Sequence, residues 1–138
     1  MGIWKYFEDR ERELRECSLH IPDGVDLFTA EDDEQRGKIY GPVFFNGYPP
    51  DVFLLVHEDV VVRGSGFHRP RYAYFLVIDG REIGGFERHA THDPPVHKHC
   101  SAQRNHEASP SRVMSFKDAA KEAWKYVNEF AQPITELP

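Results

Sequence analysis

The chain has only two cysteines in 138 residues, Cys17 and Cys100, far apart in sequence. They fit a reducing compartment better than a disulfide framework, and two free thiols are expected. Basic residues are also short: seventeen Lys and Arg stand against twenty-three Asp and Glu, for a formal net charge of −6. A protein that coats nucleic acid without specificity needs the opposite sign, because its affinity comes from neutralising phosphates. No apolar run approaches the roughly 20 residues that span a bilayer. The opening "MGIWKYFEDRERELREC" carries charge where a signal peptide has its apolar core, and Tyr6 stands where a myristoylation signal needs Ser or Thr. A cytoplasmic protein with no membrane partner is expected. There is no P-loop, no dinucleotide fingerprint, no serine nucleophile elbow and no internal repeat.

What is present is an ordinary globular composition, 40% hydrophobic and 29% charged, on a chain long enough for one core. We expect a single domain over 1–138, with an N-terminal helix and acidic loop in 1–38 and the sheet, a histidine-rich arch and a C-terminal helix in 39–132. Charge divides unevenly between the halves. Residues 1–60 carry six Lys and Arg against fourteen Asp and Glu, whereas residues 61–138 carry eleven against nine and hold six of the eight histidines.

"IWKYFEDRERELREC" reads as a short, mostly exposed helix: Ile3, Trp4 and Phe7 are apolar, Leu14 follows Phe7 by one heptad, and Glu11 and Arg15 pair at i and i+4. The next stretch, "SLHIPDGVDLFTAEDDEQRGK", mixes Pro, Gly and the acidic run Glu31 to Glu34, and reads as a loop with a solvated acidic turn. From Ile39 the texture becomes short β-rich runs: "IYGPVFF", "VFLLVH", "DVVVRG", "RYAYFLVI" and "EIGGFERH". Asn46-Gly47 and Asp79-Gly80 are pairs that tolerate positive φ, so each marks a hairpin in an antiparallel meander. "RYAYFLVI" is apolar on both faces and predicts a central strand buried on both sides. Ser115 before "FKDAAKEAWKYVNEFAQ" predicts an N-cap, and Phe116, Ala120, Ala123, Trp124, Val127, Phe130 and Ala131 form one stripe before Pro133 ends the helix. The fold class is therefore α+β: a single antiparallel sheet of four to six strands covered by the C-terminal helix.

Between the last strand and that helix lies "HATHDPPVHKHCSAQRNHEASPSR", a long segment without periodicity, of a length that usually carries function. Asp93-Pro94-Pro95 stiffens it into an arch. Two chemistries fit its histidines. Cleavage of RNA by its own 2'-hydroxyl needs a base, an acid and a cation near the phosphate, and no metal cofactor. His92, His97 and His99 supply the imidazoles, Arg88, Lys98 and Arg104 the cations, and Arg71, from the Gly-Ser turn "RGSGFHRPR", a further phosphate contact. Zinc is the other chemistry. If "VHKH" is extended, His97 and His99 share a face with Lys98 opposite, and Cys100 joins them as ligand, with Asp93 or His106 completing the set.

The order of these parts resembles the TumE-like toxins of prokaryotic toxin–antitoxin pairs. The likeness rests on "RYAYFLV", "DGREIGGFERH" and above all "HDPPVHKH", within roughly residues 39–130. His92, Pro94, His97, Lys98 and His99 match that family's motif, and Arg88 lies near its arginine. Where the family pattern tends to have aspartate and asparagine after the second strand, this chain has His89, Ala90 and Thr91, so that aspartate's role moves to Asp93 or is absent. The resemblance implies action on RNA and an antitoxin protein as partner. The expected function is a toxin-like ribonuclease, with room for a homodimer; the competing expectation is a non-enzymatic module whose loop is held by zinc or by a protein partner.

Overall fold

The computed structural model describes residues 2–88, 96–100, 105–108 and 114–135, with 96–100 and 105–108 described by their backbone. Two helices flank eight strands: α1 (Ile3–Glu16), β1 (Leu19–His20), β2 (Phe28–Ala30), β3 (Arg36–Phe45), β4 (Val52–Arg63), β5 (Gly66–Ile78), β6 (Arg81–Arg88), β7 (Val96–Cys100), β8 (Asn105–Ala108) and α2 (Phe116–Phe130). Strands β3 to β8 form a six-stranded antiparallel meander, and β1 and β2 both pair with β3. The class is α+β, with both helices packed on one face of the sheet.

Alternation makes that face. Val52, Leu54, Val56, Glu58 and Val60 of β4 are buried, as are Tyr72, Tyr74, Leu76 and Ile78 of β5 and Ile39, Val43 and Phe45 of β3. Helix α1 lays Ile3, Phe7, Arg10 and Leu14 onto it. It comes close because Gly37 has no side chain: a Cβ there would stand 2.8 Å from Phe7 Cζ and 2.9 Å from Ile3 Cγ1. Helix α2 brings Phe116 against the Tyr74 ring, at 5.7 Å between centroids, and Trp124 against Phe45, at 4.9 Å. The Trp124 indole also donates to the Cys17 carbonyl at 2.6 Å, tying α2 to the end of α1.

Local turn chemistry behaves as its residues require. Asp79 and Gly80 take φ of 53° and 77° and close the two-residue β5–β6 hairpin between Ile78 and Arg81. Gly47 takes φ of 84°, but Asn46-Gly47 opens a longer connection through Pro49 and Pro50 to Val52. Ser115 Oγ accepts from the Asp118 amide at 3.1 Å and caps α2.

Several expectations are corrected. The stretch after α1 contains β1 and β2, and β3 begins at Arg36, before the expected Ile39. The runs "VFLLVH" and "DVVVRG" are one strand, β4, with Glu58 at its buried centre. Helix α1 has the exposed outer side expected of it, and it also carries a buried ridge of Ile3, Phe7, Arg10 and Leu14. In β5, Phe75 and Val77 are only half-buried, because both helices lie on the other face. Phe130 leaves the stripe of α2: it is 57% exposed and stacks on Tyr126. Part of the segment read as one long loop is the hairpin β7–β8. The acidic run Glu31 to Glu34 is an exposed turn between β2 and β3, anchored where the Ile3 amide donates to the Glu34 carbonyl at 2.8 Å.

Candidate functional site

Two polar constellations stand out, one buried beneath the helices and one at the β6–β7 pairing. The buried one is built on Glu58, whose side chain is fully enclosed. Arg10 from α1 reaches it in a fork, Nε to Oε2 at 2.9 Å and Nη2 to Oε1 at 2.9 Å, and the Tyr6 hydroxyl donates to Oε1 at 2.5 Å. Arg69 of β5 stands 3.5 Å from the same oxygen, donates to the Tyr74 hydroxyl at 2.5 Å and to the Met114 carbonyl at 2.7 Å, and lies over the Tyr72 ring. Arg10 also bonds Glu13 and lies 4.6 Å from the Phe116 ring centroid.

The electrostatics of this cluster follow from burial set against charge. Enclosure alone would raise the Glu58 carboxyl, but the guanidinium groups of Arg10 and Arg69 and the hydrogen bonds from Arg10 and Tyr6 hold it below the usual carboxylate value. Burial and the Glu58 charge push the Tyr6 phenol well above its ordinary value, so it stays protonated and donates. Burial would depress Arg10, yet Glu58 holds it charged. The cluster joins α1, β4, β5 and the approach to α2. It is a structural ion network, with its donors and acceptors committed to one another.

The β6–β7 pairing carries the residues expected from sequence. His97 pairs with Glu87, His99 with Gly85, Lys98 with Phe86 and Val96 with Arg88; on the far side His99 pairs with His106 and Cys100 with Asn105. Across the sheet the row continues from Glu87 to Ala73, His57 and Tyr40. That row belongs to the face opposite the helices. His97 and His99 thus hold open-face register positions. Lys98, paired with buried Phe86, and Arg88, paired with buried Tyr72, hold positions of the helix-covered face.

Each candidate has a definite standing. Arg88 is half-buried, and its Nη1 donates to the Arg69 carbonyl at 3.3 Å. Arg71 is exposed on the open face and pairs with Asp59. It lies two strands and two residues from His97, roughly 12 Å between Cα atoms by ordinary sheet spacings. His92, His89, Asp93 and Arg104 lie outside the described residues. The zinc set His97, His99 and Cys100 spans both registers, since neighbours on a strand alternate faces, while His106 falls on the register of His99. Among the residues whose side chains are described, which do not include those of β7 and β8, no group of three His, Cys, Asp or Glu could hold a metal.

Sequence reasoning passed over two residues of the open-face row. Glu87 is buried at 8% exposure directly across from His97. His57 bonds Asp59 Oδ1 at 3.3 Å and packs edge-on to Tyr40, at 5.4 Å between ring centroids. The usable signal was alternation: in "VFLLVHED" a buried-face Glu58 forces His57 to the open face. His57 lies three strands from His97, roughly 14 Å away, too far to share one phosphate.

No family model matches the chain, and neither the curated proteins nor the solved structures give a significant match.

Proposed function

We propose that the chain is a small toxin-like ribonuclease that cleaves RNA through imidazole acid–base chemistry without a metal. The observation that carries this reading is the β6–β7 register, with His97 across from the buried Glu87 and His99 two positions along the same strand. A carboxylate facing an imidazole fixes its tautomer and raises its basicity, which suits His97 to the role of base. His97 removes the 2'-hydroxyl proton, O2' attacks phosphorus and the P–O5' bond breaks. His99, with His92 as the further imidazole of the segment, protonates the departing O5'. The products are a 2',3'-cyclic phosphate and a 5'-hydroxyl. Arg71 meets phosphate charge on the same face, with Arg104 as a further cation, whereas Arg88 and Lys98, expected from sequence to bind the phosphate, hold register positions of the helix-covered face and are left out of the contact. An antitoxin protein is the expected partner, covering the β7 surface.

The test is degradation of RNA in the presence of chelator by wild type and by the double variant His97→Ala, His99→Ala, with product ends analysed. Cleavage lost in the variant supports the reading; two equally inert preparations on diverse RNAs, with any co-purifying partner removed, refute it. A second reading keeps the same strand without catalysis: His97, His99 and His106 across the β7–β8 pairing bind zinc and pin the hairpin. Stoichiometric zinc that raises the melting temperature, with no RNA cleavage at all, would favour it.

A further inference from the structure

The chain is acidic overall, at −6, yet one corner of its sheet is basic. Where β3, β4 and β5 run toward the β4–β5 hairpin, Lys38, Asp59 and Arg71 form one cross-strand row and Arg36, Val61 and His68 the next. Arg63 follows at the hairpin tip, which Gly64 and Ser65 close in two residues with Gly64 at φ 58°. Arg36, Lys38, Arg63 and Arg71 are all exposed, and among the described residues none of them has an ion pair. Asp59 is the one acid in these rows, and it bonds His57 at 3.3 Å.

Strand geometry puts the four cations on one side. Side chains alternate along β3 and β4, so Arg36, Lys38 and Arg63 hold the register of exposed Tyr40 and not that of buried Ile39 and Val60. Between Asp59 and Val61, β5 carries one residue more than β4. This bulge turns Arg69 inward to Glu58 and seats Phe67 against Tyr6, at 5.1 Å between ring centroids, while Arg71 stays outside. By ordinary sheet spacings the four cations share a patch roughly 10 Å wide and 13 Å long. Like charges gathered so closely repel one another unless an anion meets them. Part burial, then the charges of Arg63 and Arg88, hold the His68 imidazole in the same corner below its ordinary value.

The acidic turn of 31–34 bounds the patch on the β2 side, so it continues only toward β5, β6 and the strand of His97. Tyr40 adds what charge alone does not use. Its ring, 57% exposed, stands two residues along β3 from Lys38 in the same register and is held edge-on by His57. Sheets that present an aromatic ring beside cations hold unpaired bases by stacking and their backbone by charge. An acidic protein segment would meet the cations and leave the ring without a role.

We propose that this corner is a track for single-stranded RNA, with Arg36, Lys38, Arg63 and Arg71 on its phosphates and Tyr40 stacked on a base. The track rests on the ribonuclease reading for its choice of polymer, and it holds the strand beside the bond to be cut whatever the sequence.

Fluorescence anisotropy with a labelled single-stranded RNA of about a dozen nucleotides tests it, on the full chain carrying His97→Ala, His99→Ala so that binding is read without cleavage. Four phosphate contacts predict binding that weakens roughly fiftyfold between about 50 and 200 mM salt. Adding Arg36→Gln, Lys38→Gln and Arg63→Gln should leave a salt effect below about threefold. Adding Tyr40→Ala instead should weaken binding at least about fivefold at fixed salt, and Tyr40→Phe should keep it, with circular dichroism unchanged throughout. No binding at about 50 mM salt, a salt effect indifferent to the three glutamines, or an affinity indifferent to Tyr40→Ala overturns the track. So does a labelled oligoglutamate peptide that binds more tightly than the RNA, since the corner would then dock an acidic protein. Binding as predicted beside an inert wild type would keep the track and refute the catalytic reading. Cleavage by wild type with an affinity that ignores the three glutamines would do the reverse.

Discussion

Replacing Glu58 by Gln keeps the shape of the side chain and removes its charge, leaving Arg10 enclosed, at 6% exposure, with only the part-exposed Glu13 carboxylate as counter-charge. Loss of one partner from a buried ion pair costs about 3 to 5 kcal/mol, because the remaining charge loses its enclosed counter-ion without regaining water. A domain of this size is stable by about 5 to 15 kcal/mol, so the variant should retain a fraction of that and melt roughly 12 to 20 °C lower. The pH dependence has a definite sign. Because the folded Glu58 carboxyl titrates below its unfolded value, its contribution is complete above about pH 4.3, the ordinary glutamate value, and is lost as pH falls through the lower folded value. Urea unfolding followed by circular dichroism should therefore show a gap between wild type and Glu58→Gln that is full at neutral pH and closes in acid. The double replacement Arg10→Met, Glu58→Leu should cost less than Glu58→Gln alone, since it removes the buried charge along with its partner. A Glu58→Gln protein within about 1 kcal/mol of wild type at neutral pH would refute the network as described.

Gly37→Ala should destabilise by about 1 to 3 kcal/mol in urea titrations, because its Cβ would meet Phe7, Ile3 and the Thr29 carbonyl under α1. Ser115→Ala removes the acceptor for the Asp118 amide and should cost about 1 kcal/mol, while Ser115→Asp should restore it by thermal melting. Trp124→Phe keeps an aromatic ring against Phe45 but leaves the Cys17 carbonyl without the indole donor, and should cost about 1 to 3 kcal/mol by the same titration.

What was legible in the sequence was local. Asp79-Gly80 states its own turn, Ser115 its own cap, and the meander follows from period-two runs between turn residues. Strands β1 and β2 were not legible: two and three residues long, they are extended because β3 offers them an edge, and that information is not in their own composition. Arg10 and Glu58 were missed for the opposite reason. Each occupies an inward position of a clear pattern, Arg10 between Phe7 and Leu14 on α1 and Glu58 between Val56 and Val60 on β4, and each reads as a break in the pattern until the two are seen to be partners 48 residues apart. The expected site divides along similar lines. The extended reading of "VHKH" depended only on alternation, and β7 has the backbone it required. The opposition of His97 and Glu87 is a long-range register that no single segment specifies.

The measurement that bears most directly on the functional account is cleavage of a defined RNA by the purified chain in excess chelator, read as the chemistry of the new ends. The account predicts 2',3'-cyclic phosphate and 5'-hydroxyl termini, with a loss of at least about a hundredfold in His97→Ala, His99→Ala and a smaller loss in Glu87→Gln. Cleavage that needs a metal, or that proceeds undiminished in the double variant, would contradict it.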